Sequence, residues 1–196
     1  MQNIAILGWG SLVWEERPEF DRHLVSWNSG GPVLPIEFSR KSKSRANALT
    51  LVIDRERGSP VETLYAMSKR KDPRDAVCDL RSREGTTLEN IGFVNLDDGS
   101  ECGRDEQSIQ DIRAWALKKK MQFVTWTDLP SHFAGFDKGA FITGATDHLK
   151  SLDPSQLRQA LTYIVMAPKQ TDTGLRRALM KDKWFQDQIA LYRITQ

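Results

Sequence analysis

The chain has 196 residues, 28% of them charged, and a formal net charge of +2 at pH 7. This length suits one domain with a sizeable core, and so small a net charge excludes a global demand for nucleic acid or an anionic membrane surface. Its two cysteines, Cys78 and Cys102, have neither C-x-x-C spacing nor a nearby histidine pair, which excludes the common zinc patterns and a disulfide framework. A reducing cytoplasm is therefore the expected setting. The chain enters an apolar segment with no basic leader before it, and no apolar run approaches a membrane span, so neither targeting nor a membrane partner is expected.

In chain order, Ile4 to Leu7 is an apolar, β-branched run that stops at Gly8 and Gly10, the pattern of a buried strand leading into a tight turn. Trp14 to Asn28 fits either a short helix or an irregular loop with one apolar face. After the breaker at Asn28 to Pro32, three strand-like runs follow at Val33 to Ser39, Ala48 to Asp54 and Val61 to Met67. The polar turn Arg55 to Pro60 makes the last two an antiparallel hairpin within a meander. Asp72-Pro73 is a cap followed by proline at the first helical position, and it predicts a helix to Arg83 with Glu84 at its end and Gly85 as its C-terminal cap. Ile91 to Leu96 resumes strand character and turns at Asp97 to Ser100. Asp105 to Met121 has helical spacing, with Lys118, Lys119 and Lys120 at the negative end of the dipole. Phe123 to Leu129 reads as a strand or extended segment, Pro130 to Gly144 as a structured loop, Asp153 to Met166 as a capped helix, and Thr173 to Tyr192 as one last helix. Together these predict a single α+β domain over 1–196, with a sheet-rich, mostly antiparallel core over about 1–100 and a mainly helical portion over about 101–196.

The glycine-rich end of the first strand invites three chemistries that its residues separate. A dinucleotide fingerprint needs glycine where Val13 stands, and Pro18 interrupts the helix it would open. A nucleophile elbow around Ser11 needs glycine where Trp9 and Val13 stand, and a phosphate loop needs a Lys-Ser/Thr pair that is absent. What remains is a turn whose successive N–H groups at Gly10, Ser11 and Leu12 can form an anion-binding nest for a carboxylate or a developing oxyanion. Glu84 lies one helical turn after the apolar Leu80 and so on the same face, and two readings stay open: a solvated carboxylate paired with Arg81 or Arg83, or one turned toward the core that can carry a proton.

The order aromatic-Gly-Ser-Leu at a first strand end, then strands, then Leu80-x-x-x-Glu84-Gly85, resembles the γ-glutamylcyclotransferase-like family. That family's opening motif is usually Tyr-Gly-Ser-Asn/Leu-Leu. Trp9, Gly10, Ser11 and Leu12 match it, with Trp9 keeping an aromatic platform but lacking the phenol hydroxyl. The resemblance covers roughly Ile4 to Leu96. It implies a small, mixed, partly closed β-barrel flanked by helices, Glu84 as general acid/base, and cyclisation of a γ-glutamyl amine or peptide to 5-oxoproline with release of the amine. It implies a small-molecule γ-glutamyl substrate and neither metal nor organic cofactor. A non-catalytic binding or interaction module on the same scaffold is the alternative, and a lyase or aminotransfer reaction on another γ-glutamyl compound is a further one.

Between two strands lies the densest cationic segment, Ser39 to Arg45. It reads as a solvated turn, or as a guanidinium of Arg40 or Arg45 reaching a substrate carboxylate; without interleaved aromatics it is a poor nucleic-acid site. His23, His132 and His148 are too far apart in sequence for metal-ligand spacing, so local hydrogen bonding is expected of them. Cys78, among Ala76, Val77 and Leu80, is expected to be buried as a small hydrophobe, and most of the six tryptophans to be core.

Overall fold

A computed structural model describes residues 3–195. Its elements in chain order are β1 (Ile4–Gly8), α1 (Pro18–Asp21), β2 (Leu24–Asn28), β3 (Val33–Ser42), β4 (Ala48–Ile53), β5 (Ser59–Glu62), β6 (Leu64–Ser68), α2 (Pro73–Glu84) and β7 (Ile91–Asn95). There follow β8 (Glu101–Cys102), α3 (Glu106–Lys119), β9 (Phe123–Thr127), α4 (Lys138–Lys150), α5 (Pro154–Met166), α6 (Gly174–Lys181) and α7 (Lys183–Tyr192). The fold is mixed α+β with mostly antiparallel sheets. The chain divides into two compact units, one built from the residues up to Leu34 with Glu62–Pro130, the other from Pro35–Val61 with the residues from Ser131 onward.

The first unit holds a six-stranded sheet in the order β2-β6-β1-β9-β7-β8. Every residue of β1 is buried, which is why it reads in sequence as a continuous apolar run rather than an alternation. It pairs antiparallel with β6, Leu7 opposite Tyr65, and parallel with β9, Ile4 opposite Phe123. β7 continues the sheet antiparallel to β9, and Gly92 there faces Trp126; a side chain at 92 would overlap the indole ring, so glycine is what lets the buried Trp126 lie across the strand. Gly8 does the same for Trp27, whose ring an added Cβ would meet at 2.7 Å.

The helix α2 forms as its sequence signals require. Asp72 accepts from the Arg74 N–H, Pro73 occupies the first position, and Gly85 ends the helix at φ 59°, its N–H returned to the Arg81 and Ser82 carbonyls. Ala76 and Leu80 form its buried face. Arg70 grips Asp79 with Nε and Nη2 at 2.7 and 2.9 Å, tying the helix to the segment before it.

The second unit contains a three-stranded sheet in the order β4-β3-β5, with α4 to α7. Its polar residues are organised around helix ends. Arg176, buried, donates to the carbonyls of Val165, Ala167, Pro168 and Thr171, closing the C-terminal end of α5 and the turn after it. Arg57 pairs with Asp54 at 2.9 Å and also donates to the Phe136 carbonyl.

Several elements differ from their sequence reading. Within Trp14 to Asn28 the only helix is the four-residue α1, and a strand, β2, follows it. Three of its residues, Val25, Ser26 and Asn28, face solvent, leaving little apolar pattern to read. The expected hairpin of the second and third runs is replaced by β3 and β4, Ser42 opposite Ala48, with Ala46 and Asn47 at φ 52° and 61° in the turn; β5 pairs on the other side of β3. The single run Val61 to Met67 is divided between β5 and β6, which belong to different sheets. The expected loop over Pro130 to Gly144 contains the start of α4, capped by Asp137 at the Ala140 N–H. Its stripe of Phe141, Ala145 and Leu149 was masked by Gly139 and Gly144. The single last helix is two, because Asp182 leaves helical geometry (ψ 124°) to end α6 and cap α7 at the Phe185 N–H. No closed barrel is found among the described residues; the strands form the two sheets given.

Candidate functional site

Beyond β1 the backbone winds through one tight turn. The Val13 N–H donates to the Gly10 carbonyl at 2.9 Å and the Glu15 N–H to the Ser11 carbonyl at 2.8 Å. These two bonds close the turn between residues 10 and 15. Trp9, Gly10, Ser11 and Leu12 are all buried, and the Leu12 side chain belongs to the core cluster of Ile6, Phe20, Leu24, Ala66, Leu80 and Ile91.

That cluster relates the turn to α2. Leu80 is fully buried in it, and Glu84 follows one helical turn later as the last residue of the helix, half-buried rather than enclosed. The neighbouring Arg83 reaches back to the turn itself: its Nη2 donates to the Ser11 carbonyl at 3.2 Å and to the Glu15 carbonyl at 3.0 Å. The C-terminal end of α2 is thus attached to the 10–15 turn by apolar packing beneath and by a charged donor above. Glu84 is therefore carried on the helix end that adjoins the turn.

Arg40 and Arg45, the other residues singled out by the sequence, lie in the second unit and have local partners there. The Arg40 guanidinium stands 3.2 Å from His132 Nε2, and the Arg45 guanidinium lies over the Tyr163 ring at 5.3 Å. His132 is held below the ordinary imidazole range by burial and by the charges of Arg40, Lys41 and Lys43. His148 bonds the Asn47 carbonyl at 2.8 Å, and His23 contacts Arg70 at 3.0 Å, so each histidine has a local hydrogen-bonding partner. Cys78 is exposed, against expectation: the buried face of α2 is Ala76 and Leu80, and position 78 falls off it. Of the tryptophans, Trp9, Trp115 and Trp126 are buried and the others half-buried. Among the described residues no group of three or more His, Cys, Asp or Glu side chains is arranged to hold a metal ion, and no helix is long and apolar enough to cross a membrane.

Two buried carboxylates escaped the sequence reading. Asp128 follows β9 directly, and because β9 runs parallel to β1 it emerges at the same end of the sheet as the Gly10 turn. Burial pushes its carboxyl above the usual range, against the lowering effect of the Arg104 N–H, which it accepts at 2.6 Å. Glu37, in β3, accepts the amides of Phe38 and Leu175 at 2.8 and 3.2 Å and so sits on the N-terminus of α6. Burial raises its carboxyl too, against the lowering by the Thr173 side chain and the Phe38, Leu175 and Gly174 amides. Nothing local in the sequence marks either residue; only the long-range pairings bring them to these places.

Comparisons with protein-family models, with curated proteins and with solved structures returned no significant match.

Proposed function

We propose that this chain is a γ-glutamylcyclotransferase-like, cofactor-independent enzyme of the cytoplasm that cyclises a γ-glutamyl amine or peptide to 5-oxoproline. The α-amino nitrogen of the substrate attacks its own γ-carbonyl carbon, closing a five-membered lactam, and the C–N bond to the amine breaks. Nucleophile and electrophile share one chain, so the protein's task is to fold the substrate into the attacking conformation and to move one proton. Glu84 accepts that proton from the attacking nitrogen and delivers it to the departing one. The amides of Gly10, Ser11 and Leu12 receive the substrate's α-carboxylate or the γ-oxyanion.

The observation that carries this reading is the shared packing of Leu12 and Leu80, which sets the turn against the helix whose next turn ends in Glu84. The motif residues are separated by about seventy positions in sequence and fall in one unit of the molecule. The partly closed barrel implied by the resemblance belongs to the same proposal, supported so far by helix-flanked, mostly antiparallel sheets. Incubating the protein with a panel of γ-glutamyl amines and dipeptides and assaying 5-oxoproline tests it. Release from at least one substrate is expected; binding without release would favour a non-catalytic module.

A further inference from the structure

We propose that Arg83 is the positioning residue of this site, orienting the backbone donors of the 10–15 turn and locking them to the helix end that carries Glu84; its catalytic part rests on the reading above. A single guanidinium nitrogen, Nη2, donates to two carbonyls that bracket the turn, Ser11 at 3.2 Å and Glu15 at 3.0 Å. The Ser11 carbonyl also accepts the Glu15 N–H at 2.8 Å. With two donors on one oxygen, the orientation of that peptide plane is fixed.

The peptide plane then transmits the constraint. The Ser11 carbonyl and the Leu12 N–H belong to one rigid trans amide and point in opposite directions. A cation holding the carbonyl on one side therefore aims the Leu12 N–H to the other side and, by polarising the amide, makes it a better donor. The Leu12 side chain, buried among Ile6, Phe20 and Leu80, fixes the plane from its other end. Arg83 and Glu84 are consecutive residues of the last turn of α2, so any rotation of that turn moves orienter and carboxylate together. Lysine would replace arginine only in part, because the planar guanidinium is pre-organised and the ammonium on its flexible stem is not.

The test compares Arg83→Gln and Arg83→Lys with the unmodified protein by residue-resolved amide exchange and by kinetics, with equilibrium binding of a γ-glutamyl dipeptide measured in the Glu84→Gln background. In Arg83→Gln the amides of residues 10–15 should exchange at least about tenfold faster while those of Ile4–Gly8 stay within about twofold. The rate constant for 5-oxoproline release should fall at least about tenfold with less than threefold change in binding, and Arg83→Lys should recover part of both effects. Turn exchange unchanged in Arg83→Gln would overturn the proposal, as would faster exchange spread evenly through β1, or a loosened turn with unaltered turnover. If Arg83→Gln does not fold, Arg83→Lys decides by the same readouts, with intermediate values expected. If the unmodified protein releases no 5-oxoproline, the proposed function fails by itself, and the exchange data alone decide whether Arg83 positions the turn.

Discussion

If the turn at the end of β1 and the helix α2 are held together by the Leu12–Leu80 cluster, removing either side chain should cost stability, and removing both should cost less than the sum. Leu80 is fully buried, on a helix whose backbone cannot move into a void, so Leu80→Ala should sit high in the range for such truncations, about 3–5 kcal/mol. Leu12 is 6% exposed, and its neighbours include Phe20 on the four-residue α1, an element short enough to follow the lost volume. Leu12→Ala should therefore cost less, about 2–3 kcal/mol, and Leu12→Met less than about 1.5 kcal/mol. The shared cavity makes the pair non-additive by about 0.5–3 kcal/mol in a double-mutant cycle. Urea unfolding of the five proteins, monitored by tryptophan fluorescence and far-UV circular dichroism, supplies the numbers. Strict additivity, or a Leu12→Ala cost below about 1 kcal/mol, would show that the turn is not packed on the helix and would remove the observation that supports the site.

Other consequences follow from single groups. Gly92→Ala drives a methyl into the Trp126 ring and should destabilise by at least about 2 kcal/mol, with Trp126→Leu in the same chain costing less than on its own; equal costs in both backgrounds would refute the overlap. Glu37 has a folded-state pKa raised above the ordinary value of 4.5, chiefly by burial, so the native state holds its proton more tightly than the unfolded chain. Its contribution to stability is thus fully present below the ordinary value and is lost as pH rises through the raised one. The stability of the parent relative to Glu37→Gln should accordingly improve as pH is lowered from 7 toward 4.5, and a difference that does not vary with pH in urea titrations would contradict this.

What the sequence displays is what local chemistry enforces. The start of α2 is written in Asp72-Pro73 and its stop in Gly85, and α5 is written equally clearly in Asp153-Pro154, whose side chain completes a capping box with Gln156. The motif turn was legible because glycine and small residues interrupt a fully apolar strand. By contrast, the parallel pairing of β1 with β9 joins residues more than a hundred positions apart, so the arrival of Asp128 beside the end of β1 has no local signature. Pairing partners in the second sheet have no local signature for the same reason: β4 and β5 are adjacent in sequence, but each finds its hydrogen bonds on β3. Arg83 was readable only as a charge near Glu84. Its bonds to carbonyls 68 and 72 residues away are a product of the fold.

The proposal that Glu84 moves the proton in a γ-glutamyl cyclisation is tested most directly by one comparison: 5-oxoproline release by the unmodified protein and by Glu84→Gln, from the same γ-glutamyl substrate, with substrate binding measured in parallel. The unmodified protein should turn over, and the variant should bind normally while losing about a hundredfold or more in rate, the scale of general acid/base catalysis. Equal release by both proteins would contradict the account.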